Sequence, residues 1–234
     1  MKVAKDVEQA SRLAGPFYSI ILPTFNRAHL VVNAIQSVLA QTFPDWELLI
    51  IDDGSRDNTF EIVRPFVMND ERIRYHYATN RGLAMARNIG LTIGRGNYFT
   101  FLDSDDEYLP EHLVIRAEYL RAHPEVELLH GGVEVIGSDM VADKHDPSKL
   151  VPISDCVVGG TFVIRRDLAE RLQGFRAIEY GDDADFFARA EAAHAVIHKI
   201  DATTYRYNRT ESDSLTEIAS REGIEGISKF RNLV

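Results

Sequence analysis

The stretch with the most evident chemistry is Tyr98–Pro110, in which a run of β-branched and aromatic residues turns abruptly into acids. Asp103 and Asp105 stand two positions apart, and Asp106 and Glu107 follow them. Clustered carboxylates at the end of a buried strand are costly unless a cation neutralises them. A hard divalent metal with oxygen ligands, Mg²⁺ or Mn²⁺, is the cation that fits. The stretch therefore predicts a metal site for a phosphate-bearing substrate, whereas an isolated D-x-D is more often a solvated turn.

A second acidic pair, Asp52-Asp53, follows the buried run Trp46–Ile51. An aspartate at a strand end can accept the ring N–H of a pyrimidine, because an ionised carboxylate only accepts hydrogen bonds. The alternative is an Asx-turn or a helix cap leading into Asn58. The pattern by itself leaves both interpretations open.

A third acidic pair, Asp182-Asp183, stands at the predicted start of a helix. A carboxylate there can act as a general base toward an acceptor hydroxyl, and the alternative is plain helix capping. Arg87 follows Gly82 in another predicted helix and can pair with a phosphate or with the acids. Otherwise it would form a surface ion pair of little energetic value.

The first half of the chain contains the elements that must position these groups, and it alternates strand and helix four times. Predicted strands cover Tyr18–Leu22, Trp46–Ile51, Ile73–Tyr77 and Tyr98–Leu102, and predicted helices cover His29–Ala40, Asn58–Val67 and Leu83–Thr92. Pro65 is expected to shorten or kink the second helix. The alternation predicts a mostly parallel α/β sheet with helices on both faces. Ligands bind beyond the carboxyl ends of the strands in such sheets, and the polar groups gather there.

The second half is less regular. Helices are predicted at Pro110–Arg121 and Ala184–His194, and strands at Val126–His130, Val157–Arg165, Val196–Ile200 and Thr203–Tyr207. The segment Gly137–Leu150 lacks periodicity and is predicted to be a loop. Gly159 and Gly160, inside a predicted strand, indicate close approach of another backbone or of a ligand.

Composition narrows the class of protein further. The formal net charge is −10, which argues against a nucleic-acid-binding surface. Cys156 is the only cysteine, so the chain has no internal disulfide, as is usual in a reducing compartment. The N-terminal residues lack the apolar core of a signal peptide, and no apolar run is long enough to span a membrane. We expect a cytoplasmic protein, and peripheral docking to a membrane surface stays open.

Four motifs in this order are similar to those of the bacterial family 2 glycosyltransferases, which are inverting enzymes with the GT-A fold. They are IILPTFNR, SVLAQTFPDWELLIIDDGSRDNT, NRGLAMARNIGL and GNYFTFLDSDD. The strings SVLAQTFPDWELLIIDD and RPFVMNDERIRYH also resemble spore-coat-type members. Each motif alone is a weak signal, but their order is highly specific.

The resemblance implies a role for each matching residue. Pro23, Thr24 and Phe25 would line the base pocket, and Asp53 would accept the pyrimidine N3–H. Arg87 and Asp103 would complete the nucleotide site, Asp105 would bind the metal, Asp183 would be the catalytic base, and Gly159, Gly160 and Asp182 would lie beside the sugars. The implied organisation is an N-terminal extension at 1–17, a GT-A domain at 18–209 and a C-terminal tail at 210–234. Within the domain, 18–109 would bind the nucleotide and 110–209 would form the acceptor side.

The sequence departs from the family pattern at two positions. Asp182 shortens the first side chain of the usual Glu-Asp pair, and Asn208 stands near the place of a histidine that assists the metal in many members. The second departure puts the metal's role at this position in doubt.

We therefore expect a glycosyltransferase that depends on Mn²⁺ or Mg²⁺. Its donor would be a nucleotide-diphosphate sugar, with a UDP-sugar favoured, and its acceptor a saccharide, a lipid-linked sugar or a protein. The alternatives are a sugar-phosphate nucleotidyltransferase and a non-catalytic sugar- or Ca²⁺-binding module. A nucleotidyltransferase normally has a glycine-rich loop after the first strand, and Thr24–His29 contains no glycine.

Overall fold

The computed structural model describes residues 15–143, 146, 149–178, 180–210, 218 and 222. Most of the predicted N-terminal extension and of the predicted polar tail lies outside these residues. The four predicted strands of the first half are present as β1 (Tyr18–Thr24), β2 (Trp46–Asp52), β3 (Ile73–Tyr77) and β4 (Tyr98–Phe101). The helices between them are α1 (Val31–Leu39), α2 (Thr59–Asn69) and α3 (Leu83–Ile93). Helix α2 continues past Pro65 to Asn69, so the prediction that this proline shortens the helix was wrong.

The second half completes the same sheet. It contributes strands β6 (Leu128–Gly137), β7 (Met140–Ala142), β8 (Leu150–Pro152), β9 (Val163–Arg165) and β10 (Ile197–Arg209), after the short strand β5 (Glu107–Tyr108). Its helices are α4 (His112–Ala122), α5 (Arg166–Arg171) and α6 (Asp182–Ala192). Short 3₁₀ helices lie at Ile153–Asp155 and Gly159–Thr161.

The main sheet has eight strands in the order β3-β2-β1-β4-β9-β6-β10-β5. Strands β3, β2, β1 and β4 are parallel, as are β6 and β10, whereas β9 runs antiparallel to both β4 and β6. This confirms the predicted mostly parallel α/β sheet. The sheet runs through the predicted boundary near Pro110, because β5 pairs with β10.

Alternating side chains of the buried strands fill two cores on opposite faces of the sheet. Ile20 and Leu22 of β1 pack in one core with residues of α1, α2 and α4, and Ile21 packs in the other with residues of α3, α5 and α6. A strand buried on both faces reads as a continuous apolar run, and for this reason β1 and β2 were recognisable from the sequence.

Three predictions for the second half need correction. The segment Gly137–Leu150 is not wholly a loop, because Met140–Ala142 and Leu150–Pro152 pair as a separate two-stranded antiparallel sheet. The predicted strand Val157–Arg165 is a 3₁₀ turn at the two glycines, and only Val163–Arg165 is a strand. The two predicted strands at Val196–Tyr207 are one strand, β10, whose register against β6 shifts between Ile200 and Tyr205. Among the described residues, no helix is long and apolar enough to cross a membrane.

Candidate active site

The carboxyl ends of the parallel strands bring the predicted polar groups to one edge of the sheet. Thr24 at the end of β1 pairs with Asp52 at the end of β2, and the Asp53 amide donates to the Thr24 carbonyl oxygen at 2.9 Å. Strand β4 lies on the other side of β1 and leads into the acidic turn Asp103–Asp106. Strand order thus places the first two acidic groups on either side of Thr24.

Asp52 and Asp53 make different hydrogen bonds, and only Asp52 makes the predicted Asx-type turn. Asp52 makes the Asx-type turn, since its Oδ1 accepts the Ser55 amide at 2.7 Å and its Oδ2 accepts the Tyr75 hydroxyl at 2.5 Å. The buried Asp53 carboxylate accepts the amides of Arg81 at 2.9 Å and Gly82 at 2.7 Å. These two bonds orient Asp53 toward the loop that starts α3, where a nucleobase would lie in the predicted arrangement.

The end of β1 contains a buried hydroxyl whose hydrogen bonding is incomplete. Pro23 and Thr24 are buried and Phe25 is half-buried. The Thr24 hydroxyl has no hydrogen-bond partner within the described part of the chain. Buried polar atoms normally have a partner, so this hydroxyl is a natural place for a ligand atom to bind.

The acidic turn is organised by Asp106, to which the sequence assigned no role beyond the local charge. Asp106 is buried, and its carboxylate accepts the Tyr205 hydroxyl at 2.6 Å and the Asn208 amide at 2.8 Å. Burial, with the negative charges of Asp105 and Asp103, raises the pKa of Asp106. Asp103 and Asp105 remain partly exposed. Asp106 therefore anchors the turn to β10, and the two partly exposed acids face the solvent side.

The donor chemistry of this turn fits a divalent cation that is shared with a substrate. Within the described ranges, no group of three or more His, Cys, Asp or Glu side chains is arranged to hold a metal. Mg²⁺ in phosphate-binding sites is usually held by one or two carboxylates together with phosphate oxygens. Asp105, with Asp103 two residues earlier, offers such a partial set, so the residues present fit a metal that binds together with a diphosphate.

Arg87 connects the acidic turn to the third acidic pair. Its guanidinium is buried and donates to Asp182 Oδ2 at 2.8 Å and to Asp103 Oδ1 at 3.2 Å. Burial disfavours the charged guanidinium, but the carboxylates of Asp182, Asp103 and Asp183 outweigh it and raise the pKa of Arg87. The surface ion pair considered from the sequence is therefore wrong, because this cation is buried between two acids.

Asp183 is held beside the glycine pair at the start of α6. Its Oδ2 accepts the Gly159 amide at 2.9 Å and its Oδ1 accepts the Ala184 amide at 2.7 Å. A Cβ on Gly159 would lie 2.8 Å from the Asp183 Cβ, so only glycine allows this approach. The chain enters the helix through Gly181, whose φ of +78° suits glycine.

Burial raises the pKa of Asp183 to about 6, with a further upward contribution from the charge of Asp182. The Arg87 guanidinium and the two backbone amides oppose the rise. A carboxylate with a pKa near neutrality is a better proton acceptor than an ordinary aspartate and is still mostly ionised at pH 7. Asp183 thus has the properties of a general base.

Gly160 makes the close approach that the glycine pair indicated. A Cβ at this position would overlap the ring and hydroxyl of Tyr205. Tyr205 is fully buried, and its hydroxyl also accepts the Asp103 amide at 3.3 Å. The same tyrosine therefore contacts the acidic turn and the acceptor-side glycine, a role that the sequence did not indicate.

A cleft of about 510 Å³ joins most of these groups. Of the predicted site residues, its lining includes Arg87, Asp103, Gly159, Gly160, Asp182 and Asp183. Pro23, Thr24, Phe25, Asp53 and Asp105 do not line it. Leu83 and Ala84, directly after Gly82, line one wall, so the Asp53 site adjoins the cleft through the start of α3.

The fold is a mostly parallel α/β sheet flanked by helices, as in glycosyltransferases of the GT-A type, and the comparisons with known proteins agree with this class. Residues 19–172 match the model of the family described as "Glycosyl transferase family 2". The chain therefore belongs to glycosyl transferase family 2.

Curated relatives match parts of the chain. An uncharacterized glycosyltransferase of Rickettsia felis is 42% identical over 102 residues, which are 44% of this chain and 17% of the relative. The UDP-Glc:alpha-D-GlcNAc-diphosphoundecaprenol beta-1,3-glucosyltransferase WfgD of Escherichia coli is 34% identical over 153 residues, which are 62% of this chain and 58% of the relative. The chain thus spans only part of the length of these relatives.

Solved structures of glycosyltransferases share the fold. Staphylococcus aureus TarS 1–349 in complex with UDP is similar with a TM-score of 0.68 at 22% identity, covering 92% of this chain and 70% of that one. The mannosyltransferase PcManGT of Pyrobaculum calidifontis, in complex with GDP-Man and Mn²⁺, gives a TM-score of 0.67 at 20% identity, covering 82% and 56%. At these identities the similarity establishes the GT-A-type fold and not a shared substrate.

Proposed function

We propose that this chain transfers a sugar, with inversion at the anomeric carbon, from a nucleotide-diphosphate sugar to an acceptor hydroxyl. Asp183 is the general base, and a UDP-sugar is the favoured donor. The observation that carries the proposal is the position of Asp183. It lies in the cleft, has a pKa of about 6, and is connected through Asp182 and Arg87 to Asp103 of the acidic turn.

The cleft and the adjoining strand ends have distinct parts in the reaction. Asp53 reads the nucleobase, with Pro23, Thr24 and Phe25 around it, and Asp103 contacts the ribose. Asp183 removes the proton from the acceptor hydroxyl as the oxygen forms its bond to the anomeric carbon. The bond from that carbon to the diphosphate oxygen breaks on the opposite face of the sugar, and its electron pair leaves with the diphosphate. A single displacement of this kind inverts the configuration.

Asp105, assisted by Asp103, is the residue that would hold Mn²⁺ or Mg²⁺. When bound, such an ion supplies Lewis-acid stabilisation of the departing diphosphate. Asn208 donates its backbone amide to Asp106, and its side-chain oxygen accepts from Thr210. It therefore lies next to the acidic turn, and we include it as a support of the turn.

The cytoplasmic location expected from the sequence stays a prediction.

The test is the substitution Asp183→Asn, with transfer measured by release of nucleotide diphosphate and by product formation. We expect the rate of transfer to fall roughly 10²–10⁴-fold, because an amide cannot accept the acceptor's proton. Binding of the nucleotide should change little. The free energy of unfolding should fall by about 1–3 kcal/mol, because the asparagine can accept from only one of the Gly159 and Ala184 amides. A folded variant that binds nucleotide and transfers sugar at nearly the wild-type rate would refute the role of Asp183.

A matched control is Asp185→Asn in the same helical turn. Asp185 does not line the cleft, and its carboxylate accepts from Arg189 at 2.7 Å and from Arg176 at 3.3 Å. We expect transfer by this variant to stay within a few-fold of wild type. The anomeric configuration of the product, determined by NMR, tests inversion separately.

A further inference from the structure

The cleft has an unusual charge for a site that receives a second substrate. Its described lining contains six carboxylates and one guanidinium, which are Asp103, Asp143, Asp155, Asp182, Asp183, Glu191 and Arg87. No lysine is among these lining residues. Low-dielectric walls concentrate the field of such a set, so the described lining favours a negative potential in the cleft.

The guanidinium of the described lining offsets one of these charges but is not available to an incoming anion. Both terminal nitrogens of Arg87 donate to carboxylates, one to Asp182 and one to Asp103. Arg209 lies behind the β7–β8 hairpin, where it donates to the Met140 carbonyl oxygen and is buried. Neither arginine is placed to receive an anionic group of an acceptor in the cleft.

The described lining of the cleft also includes an apolar set, the apolar wall. Val141 and Val151 of the hairpin, Ile153, Val158 and the aromatic ring of Phe187 form it. Two tyrosines also contribute, Tyr180 and Tyr207, and burial raises the pKa of Tyr180 to about 12. Tyr180 is therefore a neutral phenol at any working pH. Such a wall suits the C–H face of a sugar ring or an apolar aglycone.

We infer that the acceptor is an uncharged saccharide that presents an apolar face or aglycone to this wall, and not a phosphorylated or uronic sugar. The inference rests on the proposed function, because it names the substrate class of the acceptor side. The donor's diphosphate is a separate matter, since it would bind at Asp105 with its metal. An anionic group in the cleft would instead face this set of carboxylates, and the only guanidinium of the described lining is already bonded to two of them.

The only cysteine allows the potential to be measured without knowing the acceptor. Cys156 lines the cleft next to Asp155. Iodoacetamide and iodoacetate have similar size and both react with the thiolate, so the ratio of their rates reports local potential and not thiol pKa. Relative to 2-mercaptoethanol, we expect iodoacetate to be disfavoured roughly fivefold or more at low salt, with the effect shrinking as salt is added.

Two variants separate the cleft from the charge of the whole chain. Asp155→Asn should bring the ratio of the iodoacetamide and iodoacetate rates at Cys156 closer to the ratio for 2-mercaptoethanol. The double variant Cys156→Ser, Met68→Cys moves the thiol to a position on α2 where the native side chain is 75% exposed. This relocated thiol should show a much smaller preference for iodoacetamide over iodoacetate. A ratio at Cys156 equal to that of 2-mercaptoethanol, or equal to that of the relocated thiol in the double variant, would overturn the inference.

A second experiment measures the rate of transfer to three kinds of acceptor. These are octyl glycosides of several hexoses, the matching octyl uronides and the matching octyl glycoside 6-phosphates. We expect transfer to a neutral member at least tenfold faster than to its charged counterparts, and we expect Glu191→Gln to narrow the difference. Preferred transfer to a charged member would overturn the inference and leave the proposed function intact. If no donor is cleaved with any acceptor or with water, the proposed function fails, whereas the Cys156 ratio still reports on the charge of the cleft.

Discussion

Asp183 differs from the other acids of the cleft because two backbone amides fix its carboxylate while its surroundings favour protonation. Burial and the charge of Asp182 raise its pKa to about 6, and the charge of Arg87 acts in the opposite direction. At the scale of the residue, the geometry therefore predicts a defined pH dependence.

The first prediction concerns the acid side of the pH profile. The protonated carboxyl cannot accept a proton, and a pKa of about 6 leaves Asp183 half protonated at pH 6. We expect kcat/KM to be nearly constant above pH 7 and to fall about tenfold for each pH unit below the pKa. A profile that stays flat down to pH 5, with the enzyme still folded, would contradict this assignment.

The second prediction concerns Arg87 as a positioning residue. In Arg87→Gln, Asp182 and Asp103 lose their shared cation, and removal of one partner from a buried ion pair costs about 3–5 kcal/mol. We expect a lower free energy of unfolding in urea, and an acid limb shifted to higher pH because the guanidinium no longer favours the ionised Asp183. Arg87→Lys should recover part of the stability, since one ammonium cannot reproduce the two-pronged bond.

The matched control for Arg87 is Arg176→Gln. Arg176 also pairs with an aspartate of α6, Asp185, but its side chain is 65% exposed. Exposed pairs contribute about 0–1 kcal/mol, so this variant should unfold like wild type. If both variants lose the same stability, the special role assigned to Arg87 is wrong.

At the scale of elements, the long strand β10 connects the two sides of the site. Tyr205 in its middle bonds to Asp106 of the acidic turn and lies against Gly160 of the 3₁₀ turn. The amide of Asn208, three residues later, also bonds to Asp106. Strand β10 therefore positions both the acidic turn and the glycine pair, although it is part of neither.

The third prediction tests this contact through the packing at Gly160. In Gly160→Ala the added Cβ would overlap the Tyr205 ring, and overpacking in a well-packed interior costs about 1–3 kcal/mol. Urea denaturation should show this loss. In a Tyr205→Leu background the same substitution should cost distinctly less, and equal costs in both backgrounds would show that the ring is not the obstacle.

At the scale of the whole molecule, the proposed function would place nucleotide, metal and acceptor at different parts of one sheet edge. Strands β1 and β2 provide the predicted base site, β4 leads into the acidic turn, and α6 presents Asp183. The separate β7–β8 hairpin closes the acceptor wall with Val141 and Val151. The chain spans only part of the length of its curated relatives, so the proposed function covers only the sugar-transfer step.

The fourth prediction concerns binding of the nucleotide by the intact chain. UDP at 100 times its dissociation constant should stabilise the fold by about 2.7 kcal/mol, with a larger shift of the melting temperature when Mn²⁺ is present. Asp105→Asn should remove the Mn²⁺-dependent part and retain the rest. No shift with UDP, dTDP or GDP, with or without the metal, would contradict a nucleotide site in this fold.

Local sequence patterns were sufficient for the architecture of the first half. Strands β1 and β2 are continuous apolar runs because both of their faces are buried. Helical spacing in α1 and α3, which lie between strands that end in turn residues, then predicts that neighbouring strands are parallel. The sequence was less informative for the second half, where Met140–Ala142 and Leu150–Pro152 are only three residues each and show no measurable periodicity.

The sequence by itself determined the candidate residues for the chemistry, since the residue types and the strand ends are local properties. Only the tertiary structure decided how they pair. Arg87 meets Asp182 across 95 positions, and Tyr205 meets Asp106 across 99. Such contacts depend on strand order, register and the packing of helices on the sheet, and no short-range pattern encodes them. For the same reason the structure, and not the sequence, shows Asp106 as an anchor, Arg87 as a buried bridge, and a cleft whose described lining combines apolar side chains with carboxylates.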